Sequence, residues 1–419
     1  STTPVFGEED LWGAVSGTWQ VDVPTHAGGG DQIWVRGIDE VGNVSAPVAV
    51  SWNRPLTLTS LVGTWQGVLQ RTINLEDSPA LAKAFSFGRI SLTSTAKGTV
   101  SGKLGIYPLM SADVAFTGVM YQVEGGAEFY SKVTLVKGGE PFWLICQLKN
   151  TTVDSLDHVM SAQLLDTIQY CAEGILVATT FSTAHPVPIA SQGLFNAGIA
   201  TTPAFGVGTG YFSASVAKTG MVTISGKLGD NTPFTWSGPL GGASLIPVMV
   251  PLYSNKGGVA GLLNLNPTLG AALTCERFSW VRPAFLADKQ LIFGIDTDST
   301  VSGGKYTPAI NLKSFANLGL VAEGEDPDCA LDVTLNINPT TGAILLPSPN
   351  PDAIKLTVTS TSGLFTGSYL TLDGKTSTYW GLLIGDGAGG YIGQGLFIAD
   401  PVIGQTLKRF GNVGMFPNP

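Results

Sequence analysis

Charge is the scarcest commodity in this chain: only 13% of its 419 residues are Asp, Glu, Lys or Arg. Soluble domains usually carry about 25%. The net charge is −9 and no run of Lys or Arg occurs anywhere. Nucleic acid is thereby excluded as a partner, since phosphate binding needs clustered cations. Histidine is nearly absent, at three residues: His26, His158 and His185. A serine triad needs such a base beside a nucleophile, and no G-x-S-x-G elbow supplies the serine. Long apolar runs are missing too. None reaches the roughly 18–20 residues of a spanning helix, so no transmembrane helix is expected. Only four cysteines occur, Cys146, Cys171, Cys275 and Cys329. None lies in a C-x-x-C pair, which argues against zinc and redox motifs. In an extracellular chain they permit two disulfides. Chain order favours Cys146–Cys171 and Cys275–Cys329 among the three pairings. The alternative is that they are buried thiols acting as small hydrophobes.

Present in abundance are turn formers and apolar residues: 54 glycines, 25 prolines and 44% hydrophobic residues. With so little charge, this mixture fits short strands joined by tight turns, and it is too apolar for disorder. Period-2 alternation recurs along the chain, as in Thr18–Pro24, Asp31–Asp39, Val48–Trp52, Phe142–Leu148, Val248–Tyr253 and Tyr379–Ile384. Only Ser78–Phe85 reads as helical, with serine as N-cap and proline at the first helical position. The chain opens Ser1-Thr2-Thr3-Pro4, which reads as a mature end or a piece of a longer precursor.

The chain also repeats itself. Gly63–Leu69 leads through Ile90–Thr93 to Lys97–Leu104. Gly210–Val216 leads to Thr219–Leu228, and Lys355–Val358 leads to Ser362–Tyr369. The string Ser-Gly-Lys-Leu-Gly recurs verbatim at 101–105 and 225–229. Each unit is an apolar strand, a glycine turn, and a second strand interrupted by glycine. An interior strand glycine marks a bulge, a sharp bend or a close neighbouring backbone.

Two resemblances follow. WQVDVPTHAGGGDQIWVRGIDEVGNVSAPVAV (19–50) resembles the C-terminal half of bacterial immunoglobulin-like modules. Such sandwiches need about seven strands, and only three or four fit here, so an incomplete sandwich is expected. Its open edge calls for upstream strands, the following domain or a neighbouring molecule. GTWQGVL, GYFSASVAKTGMVTISGKLGDNTPFTWSGPL, VPLYSNKGGVAGLLNL and STSGLFTGSYLTLDGKTSTYWGLLI carry the second. They resemble a β-rich repeat region near the C-terminus of large secreted planctomycete- and verrucomicrobial-type bacterial surface proteins. That resemblance implies an extracellular or cell-surface location beside adhesive modules, and no catalytic residue.

The expected fold is all-β: a partial immunoglobulin-like β-sandwich (1–55), then a large antiparallel barrel or sandwich region with internal repeats. Its halves are expected at 56–200 and 201–419, joined near Ala190–Gly208. The expected function is structural, an extracellular surface protein that forms homo-oligomers or polymers, in a fibre or layer, by strand complementation. A carbohydrate- or surface-binding adhesin is the alternative, with Trp19, Trp34 and Trp65 as aromatics to be weighed against a core role. A secreted glycoside-active enzyme is a further alternative; it would draw on Glu8, Glu9 and Asp10, on Asp296 and Asp298, or on Glu323, Glu325, Asp326 and Asp328, with Glu325 and Asp326 as the pair to mutate. An outer-membrane barrel would need an apolar outer band. For metals, Glu323, Glu325, Asp326 and Asp328 form a calcium candidate without the spaced pattern of an EF-hand, and Asp39 is a second.

Overall fold

The computed structural model describes residues 30–35, 48–53, 61–72, 86–107, 112–123, 126–135, 142–149, 159–165, 170–201, 206–266, 272–285, 292–307, 317–385 and 391–418. Strands dominate, and no α-helix occurs among the described residues. The expected helix at 78–85 lies outside them, as does most of the immunoglobulin-like region. Of the latter, β1 (Gly30–Val35) and β2 (Val48–Asn53) form an antiparallel pair, with Ile33 opposite Val50.

The remaining strands form three successive eight-stranded meanders. The first comprises β3 (Gly63–Arg71), β4 (Phe87–Ser94), β5 (Thr99–Tyr107), β6 (Val114–Val123), β7 (Gly126–Val133), β8 (Phe142–Lys149), β9 (Val159–Leu165) and β10 (Tyr170–Ala178). It is a closed barrel, sealed by β10 against β3. The second comprises β11 (Gly193–Ala200), β12 (Gly210–Val216), β13 (Met221–Lys227), β14 (Pro233–Pro239), β15 (Leu245–Leu252), β16 (Gly257–Asn266), β17 (Ala272–Arg282) and β18 (Ile295–Tyr306). The third comprises β19 (Asn317–Gly324), β20 (Leu331–Ile337), β21 (Ile344–Leu345), β22 (Lys355–Thr359), β23 (Leu364–Leu370), β24 (Thr376–Gly385), β25 (Tyr391–Ala399) and β26 (Arg409–Asn418). In both of these, first and last strands pair, and a seam remains between β14 and β15 or between β21 and β22. All three are called barrels below.

Alternation decides what fills them. On β5, Val100, Leu104 and Ile106 point inward, while Thr99, Ser101 and Lys103 face out. Each barrel encloses its own apolar core. This is the inverse of a membrane barrel, whose apolar band faces outward around a polar interior.

The first Ser-Gly-Lys-Leu-Gly copy lies within the third strand of barrel 1, and the second begins in the third strand of barrel 2 and runs two residues beyond it. No register shift occurs at either glycine, so neither marks a bulge. Close approach is the reason for them. A Cβ on Gly102 would collide with the Ser91 carbonyl oxygen and the Phe116 ring. Gly226 lies opposite both Phe212 and Phe234, whose rings meet edge to face at 6.2 Å. Directly opposed glycine–phenylalanine pairs recur at Gly102–Phe116, Gly261–Phe278, Gly381–Phe365 and Gly411–Phe397. A narrow barrel needs small positions beside large ones, and a ring lying over a glycine supplies both.

The expected division into two halves is corrected to three units. Ala190–Gly208 is not a linker: β11 runs through it, paired on both edges. Gly198 and Gly208 are small because barrel 3 packs on them. A Cβ on Gly198 would collide with Gln394, and Gly208 would meet Leu396 and the Gly411 carbonyl. Between barrels 1 and 2, Val68, Phe87 and Tyr107 pack on Met249 and Ala260. Between barrels 2 and 3, Tyr211 packs on Leu382, Ile384, Leu396, Ile398 and Phe410.

Asn196 keys the second junction. It is fully buried on β11, and its amide donates to the Ser362 carbonyl (2.8 Å) and the Leu383 carbonyl (2.9 Å) of barrel 3. Its oxygen accepts from Ser213 Oγ at 2.7 Å. Asn196→Ala would strand buried acceptors and is expected to cost about 1–3 kcal/mol, read by urea unfolding. A change below a few tenths would show that the junction does not depend on this side chain.

Candidate functional site

Polar side chains gather in a cleft of about 120 Å³ between barrels 1 and 2, lined by Arg71, Ser86, Arg277, Ser279, Asp296 and Asp298 among others. β18 places Asp296 and Asp298 two residues apart, so both leave the sheet on its outer face. Each carboxylate is claimed by an arginine. Asp296 meets Arg71 Nη2 at 3.2 Å, and Asp298 meets Arg277 Nε at 2.8 Å. Asp298 also accepts from Ser279 Oγ at 2.6 Å. Gln70 crosses from barrel 1, donating to Ser279 Oγ at 2.9 Å and to the Arg277 carbonyl at 3.2 Å. Asp296 is thus paired across the two barrels, while Asp298 is held within barrel 2 by Arg277 and Ser279. A pair of catalytic carboxylates must instead face each other across a substrate, with one of them able to hold a proton. Glu8, Glu9 and Asp10 lie outside the described residues.

The calcium candidate is corrected. Asp326 caps the short turn Pro327–Cys329, accepting from the Asp328 amide at 2.9 Å. Its other oxygen binds Arg409 Nη1 at 3.1 Å, and Arg409 also reaches Asp373 at 3.3 Å. A guanidinium therefore occupies the place a cation would take. Glu323 projects from β19, and Glu325 lies over Gly206. Glu323, Glu325, Asp326 and Asp328 do not converge. No group of three or more metal-ligating side chains assembles among the described residues. Asp39 lies outside them.

The expected disulfides are corrected as well. None of the four cysteines is in a disulfide, and all are buried. Cys146 is on β8 and Cys171 on β10, with β9 between them. Two strand spacings, about 9–10 Å, exceed the reach of an S–S bridge. Cys275 and Cys329 belong to different cores. Burial pushes the Cys275 and Cys329 thiols up to about 11, and Cys146 higher still. The thiols therefore serve as small core residues.

Trp65 is core, 1% exposed, with Nε1 donating to Ser94 Oγ at 3.3 Å. Trp34 lies on β1, and Trp19 falls outside the described residues. His185 sits in an exposed bend, its amide donating to Ser182 Oγ; His26 and His158 are not described.

One cluster had no expectation attached. At one end of barrel 2, Asp230 and Arg282 form an ion pair at 3.1 Å, 3% and 4% exposed. Asp230 also accepts from the Thr232 amide and hydroxyl, each at 2.9 Å, and from Tyr253 Oη at 3.0 Å. Trp280 Nε1 donates to the same tyrosine oxygen at 3.1 Å. Burial raises the Tyr253 phenol far above its ordinary value, with Asp230 adding to it. The only local sign was an aspartate in a Gly-Asp-Asn-Thr turn; its partner comes from a distant strand.

No family model, curated protein or solved structure matches the chain. No helix among the described residues is long and apolar enough to cross a membrane.

Proposed function

We propose that this chain is an extracellular structural protein, three barrels forming a stiff spacer that joins to neighbouring subunits through open strand edges in a fibre or layer. The β1–β2 pair carries the reading. Among the described residues it pairs with no third strand. A two-stranded hairpin is marginal by itself in water, and strand addition from another subunit is a direct way to complete it. The fastened junctions between barrels, with charges spent on internal pairing, suit a spacer. An adhesin reading draws less support, because large aromatics such as Trp65 and Trp280 are interior.

Negative-stain microscopy of the full chain tests this. Fibres or sheets are expected. Val50→Pro removes a ladder donor from β2 and should abolish them while leaving barrel unfolding in urea unchanged. A wild-type preparation of single particles at every concentration would overturn the proposal.

A further inference from the structure

Barrel 3 is missing most of a strand. In barrels 1 and 2 the third strand, β5 or β13, is laddered on both sides. In barrel 3 that place falls to β21, which pairs at only two positions, Asn336–Leu345 and Ile337–Ile344. The cause is local. Pro347, Pro349 and Pro351 follow at alternate positions, and proline has no N–H to donate. Among the described residues, β22 is consequently laddered on one edge alone, to β23. Its core-facing Leu356 and Val358 stay half-exposed, although they pack on the barrel 3 core. Across the seam Ile344 is also half-exposed, and Leu345 and Leu346 are 47% and 41% exposed.

Barrel 2 has a seam too, but its edges are blunted. β14 carries Pro233 and Pro239, and β15 carries Pro247 and Pro251. Prolines on an edge obstruct strand addition. β22, Lys-Leu-Thr-Val-Thr, has none. Its pattern also matches itself in the antiparallel sense. Centred on Thr357, Leu356 falls opposite Val358 twice and Lys355 falls opposite Thr359. Apolar meets apolar, and the lysines do not face each other.

We infer that β22 pairs with β22 of a second copy about a two-fold axis through Thr357, running one sheet across two third barrels. Such a contact is isologous and self-limiting, so it joins subunits in pairs. It deepens the assembly reading above by naming one junction, separate from that at β1–β2.

A cysteine on the axis reports it. Paired residues there lie about 4.5–5.5 Å apart between Cα atoms, within disulfide range. Under mild oxidation, full-length Thr357→Cys is expected to become a covalent dimer, while Thr223→Cys, exposed on β13, stays monomeric. The native thiols are buried and do not compete. Sedimentation of Val50→Pro, in which the β1–β2 junction is blocked, should show a dimer that adding Thr357→Pro abolishes. A Thr357→Cys protein with wild-type unfolding that remains monomeric overturns the inference, whatever Thr357→Pro does. Fibres without this crosslink would remove the β22 junction and leave the assembly reading standing. The crosslink without fibres or sheets would do the reverse.

Discussion

Arg282→Met should be among the most damaging single changes in this protein, costing about 3–5 kcal/mol in urea unfolding followed by tryptophan fluorescence. The guanidinium does three things at the end of barrel 2. It pairs with buried Asp230, donates to the Phe293 carbonyl at 2.9 Å, and lies over the rings of Tyr253 and Phe285. Methionine fills similar space and keeps some of the ring contact. What it cannot do is compensate the carboxylate, which would stay almost fully enclosed without its cation. The cost is thus mostly that of an isolated buried charge rather than of lost packing. Adding Asp230→Asn separates the two. With the charge gone, the double variant should recover most of the loss, keeping the deficit of the altered hydrogen bonds. If the double variant were as unstable as Arg282→Met, packing would be the cause and the electrostatic account would fail.

The second large effect is expected from Gly261→Ala. A Cβ there would lie 2.6 Å from Phe278 Cδ2 and 3.1 Å from both the Arg277 carbonyl oxygen and Cys275 Sγ. Phe278 is 1% exposed, so its ring has no empty space to move into. Overpacking of this kind costs about 1–3 kcal/mol. The ring is the nearest obstacle, so shrinking it should relieve the clash. Phe278→Leu alone should destabilise by leaving a void. Combined with Gly261→Ala, the loss should fall short of the sum by about 1 kcal/mol, as expected for residues in direct contact. Additive losses would mean that the glycine serves the backbone rather than the ring.

How far this was legible can be argued from the same residues. Alternation along Thr99–Tyr107 or Tyr379–Ile384 marks strands because side-chain direction in a strand is a local property. The verbatim repeat at 101–105 and 225–229 likewise signalled equivalent positions, and both copies proved to begin in third strands. The third repeat misled. Its glycine, Gly367, lies under Tyr379 as the others lie beside phenylalanines, but on the fifth strand of its barrel. A short motif records a local packing solution and not its place in a meander. Ala190–Gly208 misled for a related reason. Small residues mark linkers and tight interfaces alike, and only the position of barrel 3 distinguishes them.

The candidate site residues failed on non-local grounds. Asp296 and Asp298 were visible as a pair, but not that Arg71 and Arg277 would neutralise them. Asp326 looked open to a cation, and Arg409 arrives from the last strand to fill that role. Cys146 and Cys171 are near in sequence, yet an intervening strand holds them apart.

By itself, then, the sequence determined that this chain is all-β, strand-rich, glycine-punctuated and internally repeated, because alternation and turn chemistry act over a few residues. Among the described residues, tertiary structure alone decided the number of barrels, the partners of the charges and which strands are laddered on one edge only. Those depend on which strands become neighbours, and closing a sheet on itself couples residues that no local pattern connects.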